Sequence, residues 1–246
     1  MYLTIHAIVL RVTDYNDRDA LLTVLSRSHG KLTIKARGLR RKNSPLIAPC
    51  QLLAFGEFTL FEYKNQYTIN EAHSIELFTP LRRDLTRLSL GTYFAQAAEV
   101  ISQEDMPNPE LQSLLLNCLH GLAKLNLPEA LVKSVFELRA ACLAGYTPDL
   151  FGCHACGSQI PDRFDVSAGQ LECRGCSGGE HGIRMPVTPG MLEAMQYICL
   201  CDPKRLFSFQ IGEENMQLLS ALTESYLATQ LERGFSALDF YKSLLI

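Results

Sequence analysis

Along the first eighty residues, apolar and polar positions alternate with a period of two. Leu3, Ile5, Ala7 and Val9 share one face, Ala20 to Leu25 form a compact apolar run, and Leu32, Ile34 and Ala36 alternate again after a turn at His29-Gly30. Gln51 to Phe55, Glu57 to Tyr63 and Tyr67 to Ile69 predict further strands, with Gly56 and Lys64-Asn65 as punctuation. Five or so short strands in about 75 residues fit a small β-barrel. From Pro80 the period lengthens. Leu81, Leu85, Leu88, Tyr93-Phe94 and Ala95 make one helical stripe over 81–102, and Leu111, Leu114, Leu115, Cys118, Leu119 and Leu122 make a second. Pro107 and Pro109 divide them. A third helix runs from about Pro128 to a stop at Gly145-Tyr146-Thr147-Pro148.

A Gly-, Ser- and Asp-rich stretch from Phe151 to Pro186 then interrupts the helical pattern, like a compact insertion. Thr188-Pro189 supplies an N-cap and first-turn pair, and two more helical segments follow near 189–200 and 213–245. The chain therefore reads as α+β. An N-terminal barrel over 1–79 precedes an all-α domain over 80–246, which carries the insertion at about 150–186. The OB-fold is the common nucleic-acid-binding barrel of this size.

Composition narrows the classes. With 47% hydrophobic residues in 246, a packed core is available. No run approaches the roughly 18 apolar residues of a membrane span, and the N-terminal segment has neither a basic region nor a small-residue cleavage site. These features predict a cytoplasmic protein. The net charge of -3 hides an asymmetry. Residues 1–80 hold 10 Lys+Arg against 7 Asp+Glu, while the remainder hold 13 against 19. A basic first part suits nucleic acid, and an acidic remainder suits other partners.

Four of the nine cysteines form two tight pairs, Cys153 with Cys156 and Cys173 with Cys176, separated by 16 residues. Such spacing fits one structural Zn2+ held by four thiolates, a closed shell with no place for substrate. Gly157, Gly175 and Gly178-Gly179 give the backbone freedom to fold around a metal, and His154 and His181 are spare ligand candidates. A zinc nucleobase deaminase is excluded because its His-x-Glu and Pro-Cys-x-x-Cys signatures are absent. Cys50, Cys118, Cys142, Cys199 and Cys201, scattered among apolar neighbours, read as reduced core thiols.

In the strand Leu32 to Arg37, the polar Thr33, Lys35 and Arg37 project together, and Arg40, Arg41 and Lys42 follow in a loop read as mobile. Five cations in eight positions can track a phosphate backbone; the alternative is a solvated loop. Arg82, Arg83 and Arg87 form a second basic cluster at the start of the first long helix, with Arg83 and Arg87 as i,i+4 neighbours. They either extend the same groove or face a partner or solvent. Thr59, Phe61 and Tyr63 lie on one strand face and Phe58, Leu60 and Glu62 on the other; core packing is favoured over base stacking for the aromatics.

Catalytic signatures are missing. The chain has no P-loop, no Gly-x-Gly-x-x-Gly after a strand, no Gly-x-Ser-x-Gly and no paired histidines. Asp14, Asp17 and Asp19 read as turn-shaping residues rather than a nuclease metal site. The expectation is a protein that is not an enzyme and takes no small-molecule substrate.

The ordered set of motifs resembles the bacterial RecO family of DNA repair and recombination mediators over essentially the whole chain. It is carried by Ala7-Ile-Val-Leu-Arg-Val-Thr-Asp-Tyr15 with Asp19, Gly30-Lys31, Lys35-Ala-Arg-Gly38, Leu81-Arg-Arg-Asp-Leu85 and Phe136-Glu-Leu138 leading to Gly145-Tyr-Thr-Pro148. Cys153-His-Ala-Cys-Gly157, Phe164-Asp165 and Cys173-Arg-Gly-Cys176 complete it. The resemblance implies an N-terminal OB-fold, a helical domain and an inserted four-cysteine zinc finger. It implies binding of single- and double-stranded DNA, annealing of complementary strands, and action with RecR to load RecA onto DNA coated by single-stranded DNA-binding protein. A cytoplasmic, nucleoid-associated location goes with it. The basic strand and loop of that family correspond here to Lys35, Arg37, Arg40, Arg41 and Lys42, with Arg82, Arg83 and Arg87 as second choices. The alternative from another class is a zinc-ribbon adaptor that contacts proteins and not nucleic acid.

Overall fold

Strand-forming alternation does produce a barrel. The computed structural model describes residues 1–176 and 182–245. Strands β1 (Tyr2–Asp14), β2 (Ala20–Ser26), β3 (Gly30–Ala36), β4 (Phe55–Tyr63) and β5 (Gln66–Glu76) close in the order β1-β2-β3-β5-β4. All pairings are antiparallel except β3 with β5. This is an OB-type barrel. Alternate residues such as Ile5, Ala7, Val9, Leu22, Ile34 and Phe58 fill the interior. Ile8 and Leu10 on the outer face of β1 are also buried, so this strand is covered on both sides.

Between β3 and β4 the expected strand over Gln51 to Phe55 does not form; β4 starts only at Phe55. Leu53 takes a left-handed φ of 64°, incompatible with an extended run. Its N–H donates to the Val9 carbonyl at 2.9 Å, and Val9 N–H donates to Ala54 at 3.0 Å, so a turn satisfies the backbone where β1 bulges.

Three helices accompany the barrel in a unit comprising Met1–Asn126 and Phe235–Ile246. Helix α1 (Leu85–Ile101) is capped by Asp84, and α2 (Pro109–Ala123) by Asn108 with Pro109 in the first turn. The buried Gln112 amide donates to the Leu25 carbonyl at 2.8 Å and the His6 carbonyl at 3.2 Å, fixing α2 on the barrel. A second unit, Leu127–Gly234, holds α3 (Glu129–Leu143), a four-stranded sheet, α4 (Pro189–Leu200) and α5 (Glu213–Gln230). The sheet has the order β6 (Asp149–Cys153), β8 (Gln170–Glu172), β7 (Arg163–Asp165), β9 (Arg184–Pro186). Thr188 caps α4 as its sequence predicts.

The helical segment expected over 213–245 is two helices. After α5, Glu232 adopts φ 51° and Arg233 N–H closes onto the Ala228 carbonyl, which ends the helix before α6 (Ser236–Ser243) starts. Helix α6 packs on α1, where Gln96 bonds Ser236 and Ala237 and the Tyr93 ring meets Phe235 edge-on at 5.3 Å. Among the described residues, no helix is long and apolar enough to cross a membrane.

The second unit is organised around a buried charge. Lys133 on α3 is 3% exposed, and its ammonium lies 3.1 Å from Glu137, 2.8 Å from Glu224 and 3.0 Å from the Ser220 carbonyl. Glu137, fully buried, accepts a further bond from Thr223 at 2.7 Å. Removing one partner strands the other charges in a low dielectric. Lys133→Ala is therefore expected to cost about 3–5 kcal/mol, read as a fall in urea midpoint, whereas an exposed lysine such as Lys42→Ala should cost under about 0.5 kcal/mol.

Candidate nucleic-acid interface and metal centre

The alternation of β3 buries Leu32, Ile34 and Ala36 and turns Thr33, Lys35 and the following Arg37 outward. This ridge borders a groove of about 380 Å³ lined by Tyr15, Leu21, Thr33, Lys35, Arg37, Asn65 and Tyr67, among others. Tyr15 belongs to the β1–β2 loop and Asn65 to the β4–β5 turn. These are the two loops that frame the ligand face of OB barrels. A second depression of about 410 Å³ shares Arg37 and adds Gly38, Arg41, Asn43, Ser44 and Ile69. Sequence reading missed Tyr15, Asn65 and Tyr67; the signal available was their place beside the loops that close such barrels.

The basic loop is pinned, not mobile as its composition suggests. Leu39, Leu46 and Cys50 insert into the barrel core, Arg40 N–H donates to the Arg18 carbonyl, and Arg41 N–H to Gly38. Apolar anchors on either side, Leu39 before and Leu46 and Cys50 after, hold Arg40, Arg41 and Lys42 in place on the exposed side.

Acidic residues of the β1–β2 loop offset part of this charge. Asp19 lies 3.5 Å from the Lys35 ammonium, which also sits 4.3 Å above the Tyr15 ring, and Asp14 pairs with Arg40 at 2.7 Å. The Gly38 N–H bond at 2.8 Å, then the Asn16 amide and Lys35, hold the Asp19 carboxyl below the usual carboxylate range. Asn16 accepts bonds from the N–H groups of Arg18 and Asp19, forming the turn. The aspartates thus shape the loop and pair with its cations. Arg37, Arg41 and Lys42 are the more available charges, exposed and with no acidic partner among the described residues.

The second basic cluster is arranged differently from its sequence reading. Thr79–Arg83 is a 3-10 turn, and α1 starts at Leu85 after its Asp84 cap, so Arg83 and Arg87 are not neighbours on one helix face. The Arg82 guanidinium donates to the Leu52 carbonyl at 2.8 Å. Arg87 donates to the Leu122 carbonyl at 3.0 Å and lies 3.4 Å from Asp84. These two tie elements of the barrel unit together, while Arg83 is simply exposed. Of the strand aromatics, Phe58 is buried, and Phe61 and Tyr63 are exposed with Tyr2 beside Phe61 at 5.5 Å.

In the second unit, the sulfurs of Cys153, Cys156, Cys173 and Cys176 all lie within 4.8 Å of one another. The Cys156 and Cys173 sulfurs are 3.9 Å apart. Four sulfurs at about 2.3 Å from a zinc ion define a tetrahedron with edges of about 3.8 Å, so the donor set fits such a metal. The first knuckle turns at Gly157, whose φ of 72° suits glycine and whose N–H donates to the Cys153 carbonyl at 2.8 Å. Cys173 N–H points at the Cys153 sulfur at 3.3 Å. The Cys156 N–H chiefly lowers the Cys153 thiol to about 6, while hydrogen bonds with Cys156 and Cys153 raise Cys176 to about 12. Crowded sulfurs of this kind need a cation to become four thiolates together. His154 is exposed and outside the set. His181 and Gly178-Gly179 lie outside the described residues.

Two family profiles match this architecture. The one described as Recombination protein O N terminal covers residues 1–78, and the one described as Recombination protein O C terminal covers residues 82–239. The chain belongs to the RecO family. Relatives named DNA repair protein RecO include that of Acetivibrio thermocellus, 32% identical over 99% of this chain and 97% of the relative. That of Desulforamulus reducens is 31% identical over 97% and 95%. That of Alkaliphilus metalliredigens is 27% identical over 99% and 100%. The RecO N-terminal match ends where the barrel does, and the RecO C-terminal match takes in the helices and the cysteine module.

Within this RecO-family chain, the carbonyl bond of Arg82 makes a stability test possible. Arg82→Ala should lower unfolding free energy by about 0.5–1.5 kcal/mol, while Arg83→Ala leaves it within about 0.5 kcal/mol, both read by urea titration.

Proposed function

We propose that this chain is a non-enzymatic DNA-binding mediator of DNA repair and recombination. It binds single- and double-stranded DNA and anneals complementary single strands. With RecR, it helps load RecA onto single-stranded DNA coated by single-stranded DNA-binding protein. Its workplace is the bacterial cytoplasm, at the nucleoid. The observation that carries this reading is the basic ridge and pinned loop beside an aromatic-edged groove on the ligand face of an OB barrel in a RecO-family chain. Phosphates follow Lys35, Arg37, Arg40, Arg41 and Lys42, and bases reach Tyr15 and Tyr67 in the groove. Arg83 extends the surface, whereas Arg82 and Arg87 act by holding the fold. The four cysteines hold one structural zinc ion, which orders a module whose own core is small.

Salt dependence tests the cation assignment. Each single-strand phosphate contact contributes about -0.7 to the slope of log affinity on log salt. Five contacts give about -3.5; three, with Lys35 and Arg40 retained by their aspartates, give about -2.1. Replacing Arg40, Arg41 and Lys42 together by Glu should weaken binding and flatten the slope, and Asp14→Asn should strengthen binding by releasing Arg40. Unchanged affinity in the triple variant would move the DNA site elsewhere. An annealing assay with and without magnesium separates the classes. Annealing without magnesium supports the mediator, no DNA retention leaves a protein adaptor, and magnesium-dependent cleavage points to a nuclease.

The zinc assignment has its own readout. Cys176→Ser should remove the single equivalent of bound zinc and lower the melting temperature, while the folded fraction keeps its DNA affinity. A stable Cys176→Ser protein that had lost DNA binding alone would place the metal in the DNA site.

A further inference from the structure

Cys142 and Cys199 are 57 positions apart in sequence, at the C-terminal ends of α3 and α4, yet their sulfurs lie 3.6 Å apart. Both are half-buried free thiols, unlike the enclosed Cys50 and Cys118. Their surroundings are polar. The Arg139 guanidinium donates to the carbonyls of Ile198 and Cys199 at the end of α4, and Thr147 bonds Cys142. Cys201, two residues beyond Cys199, turns its thiol to the Ile198 carbonyl at 3.9 Å.

We propose that Cys142 and Cys199 form an oxidation site, at which a hydroperoxide converts the two thiols into a reversible disulfide. The bond would close the segment that carries the four-cysteine module into a covalent loop. Cys142 is the attacking sulfur: its contact with the Cys199 sulfur, then Thr147 and Arg139, outweighs burial and lowers it to about 7. Its thiolate attacks one peroxide oxygen, the O–O bond breaks, and the departing hydroxide or alkoxide takes up a proton. Cys142 becomes a sulfenic acid. Cys199 then loses its proton and attacks the Cys142 sulfur; the S–O bond breaks, and hydroxide leaves with that proton as water. Two thiols are oxidised by two electrons and one peroxide is reduced. A disulfide needs the sulfurs at about 2.0 Å, so the pair closes by about 1.6 Å from its present 3.6 Å. A dithiol reverses the bond by exchange. This inference is independent of the DNA-binding reading.

The test uses the full zinc-loaded chain, treated with hydrogen peroxide, alkylated and digested with chymotrypsin without reduction. Cleavage after Tyr146 separates Cys142 from the metal-binding cysteines, and cleavage after Leu200 separates Cys199 from Cys201. The expected main product is a linked Cys142–Cys199 peptide pair, about 2 mass units below the sum of the free peptides. It disappears on dithiothreitol treatment, is absent from Cys199→Ser and persists in Cys201→Ser. Recovery of both peptides fully alkylated while the four-cysteine cluster is oxidised, linkage of either residue to Cys201, or conversion of Cys142 to a sulfinic acid would each overturn the proposal. If Cys199→Ser does not fold, the peptide map of the unaltered chain decides.

Discussion

The closure of the barrel depends on its shortest pairing. β3 and β5 run parallel and share register at only two positions, Ile34 with Tyr67 and Lys35 with Thr68. The antiparallel neighbours pair over seven or more. Without that seam, both strands would be open edges with unpaired backbone groups. With it, Ile34 is sealed inside and Lys35 is turned out, where it sits over the Tyr15 ring. One constraint thus completes the core and sets a cation next to an aromatic ring. Where pairing stops, side chains rather than backbone line the surface, and the two depressions that share Arg37 occupy that place.

Much of this was legible in the sequence because it rests on periodicity. The alternation of β3 places Lys35 and Arg37 correctly from spacing alone, and the Cys-x2-Cys pairs converge as their spacing implies. Features that depend on a distant partner were not legible. Nothing local shows that Leu39 and Leu46 plug the barrel and so stiffen a loop that looks free, or that Asp14 reaches Arg40. The same holds for Arg82, whose partner is a carbonyl 30 positions away. The split of α5 from α6 turns on one left-handed residue, Glu232, of a type that carries no turn signal.

The cysteine module rests on an aromatic contact as well as on its sulfurs. Phe164 of β7, fully buried, meets the Tyr226 ring edge-on at 5.3 Å, and the Tyr226 hydroxyl bonds the Tyr146 carbonyl. At Gly169 any larger residue would put its Cβ 2.8 Å from that hydroxyl, so close packing here demands glycine. The Gln230 amide reaches the Val166 and Ser167 carbonyls, and Gln196 of α4 reaches Leu150. The sheet is therefore held to α4 and α5 by contacts of its own, in addition to the four sulfurs that meet at its edge.

Helix α6 has a consequence for synthesis. The barrel unit is discontinuous: the chain leaves it at Asn126, builds the whole second unit, and returns at Phe235. The ring of Phe235 and the Ser236 hydroxyl that α1 requires emerge from the ribosome more than a hundred residues after α1 itself. During that interval the side of α1 that receives α6 waits uncovered, at Tyr93 and Gln96. The order of translation thus leaves the first unit begun to be finished last, with the cysteine module made in between.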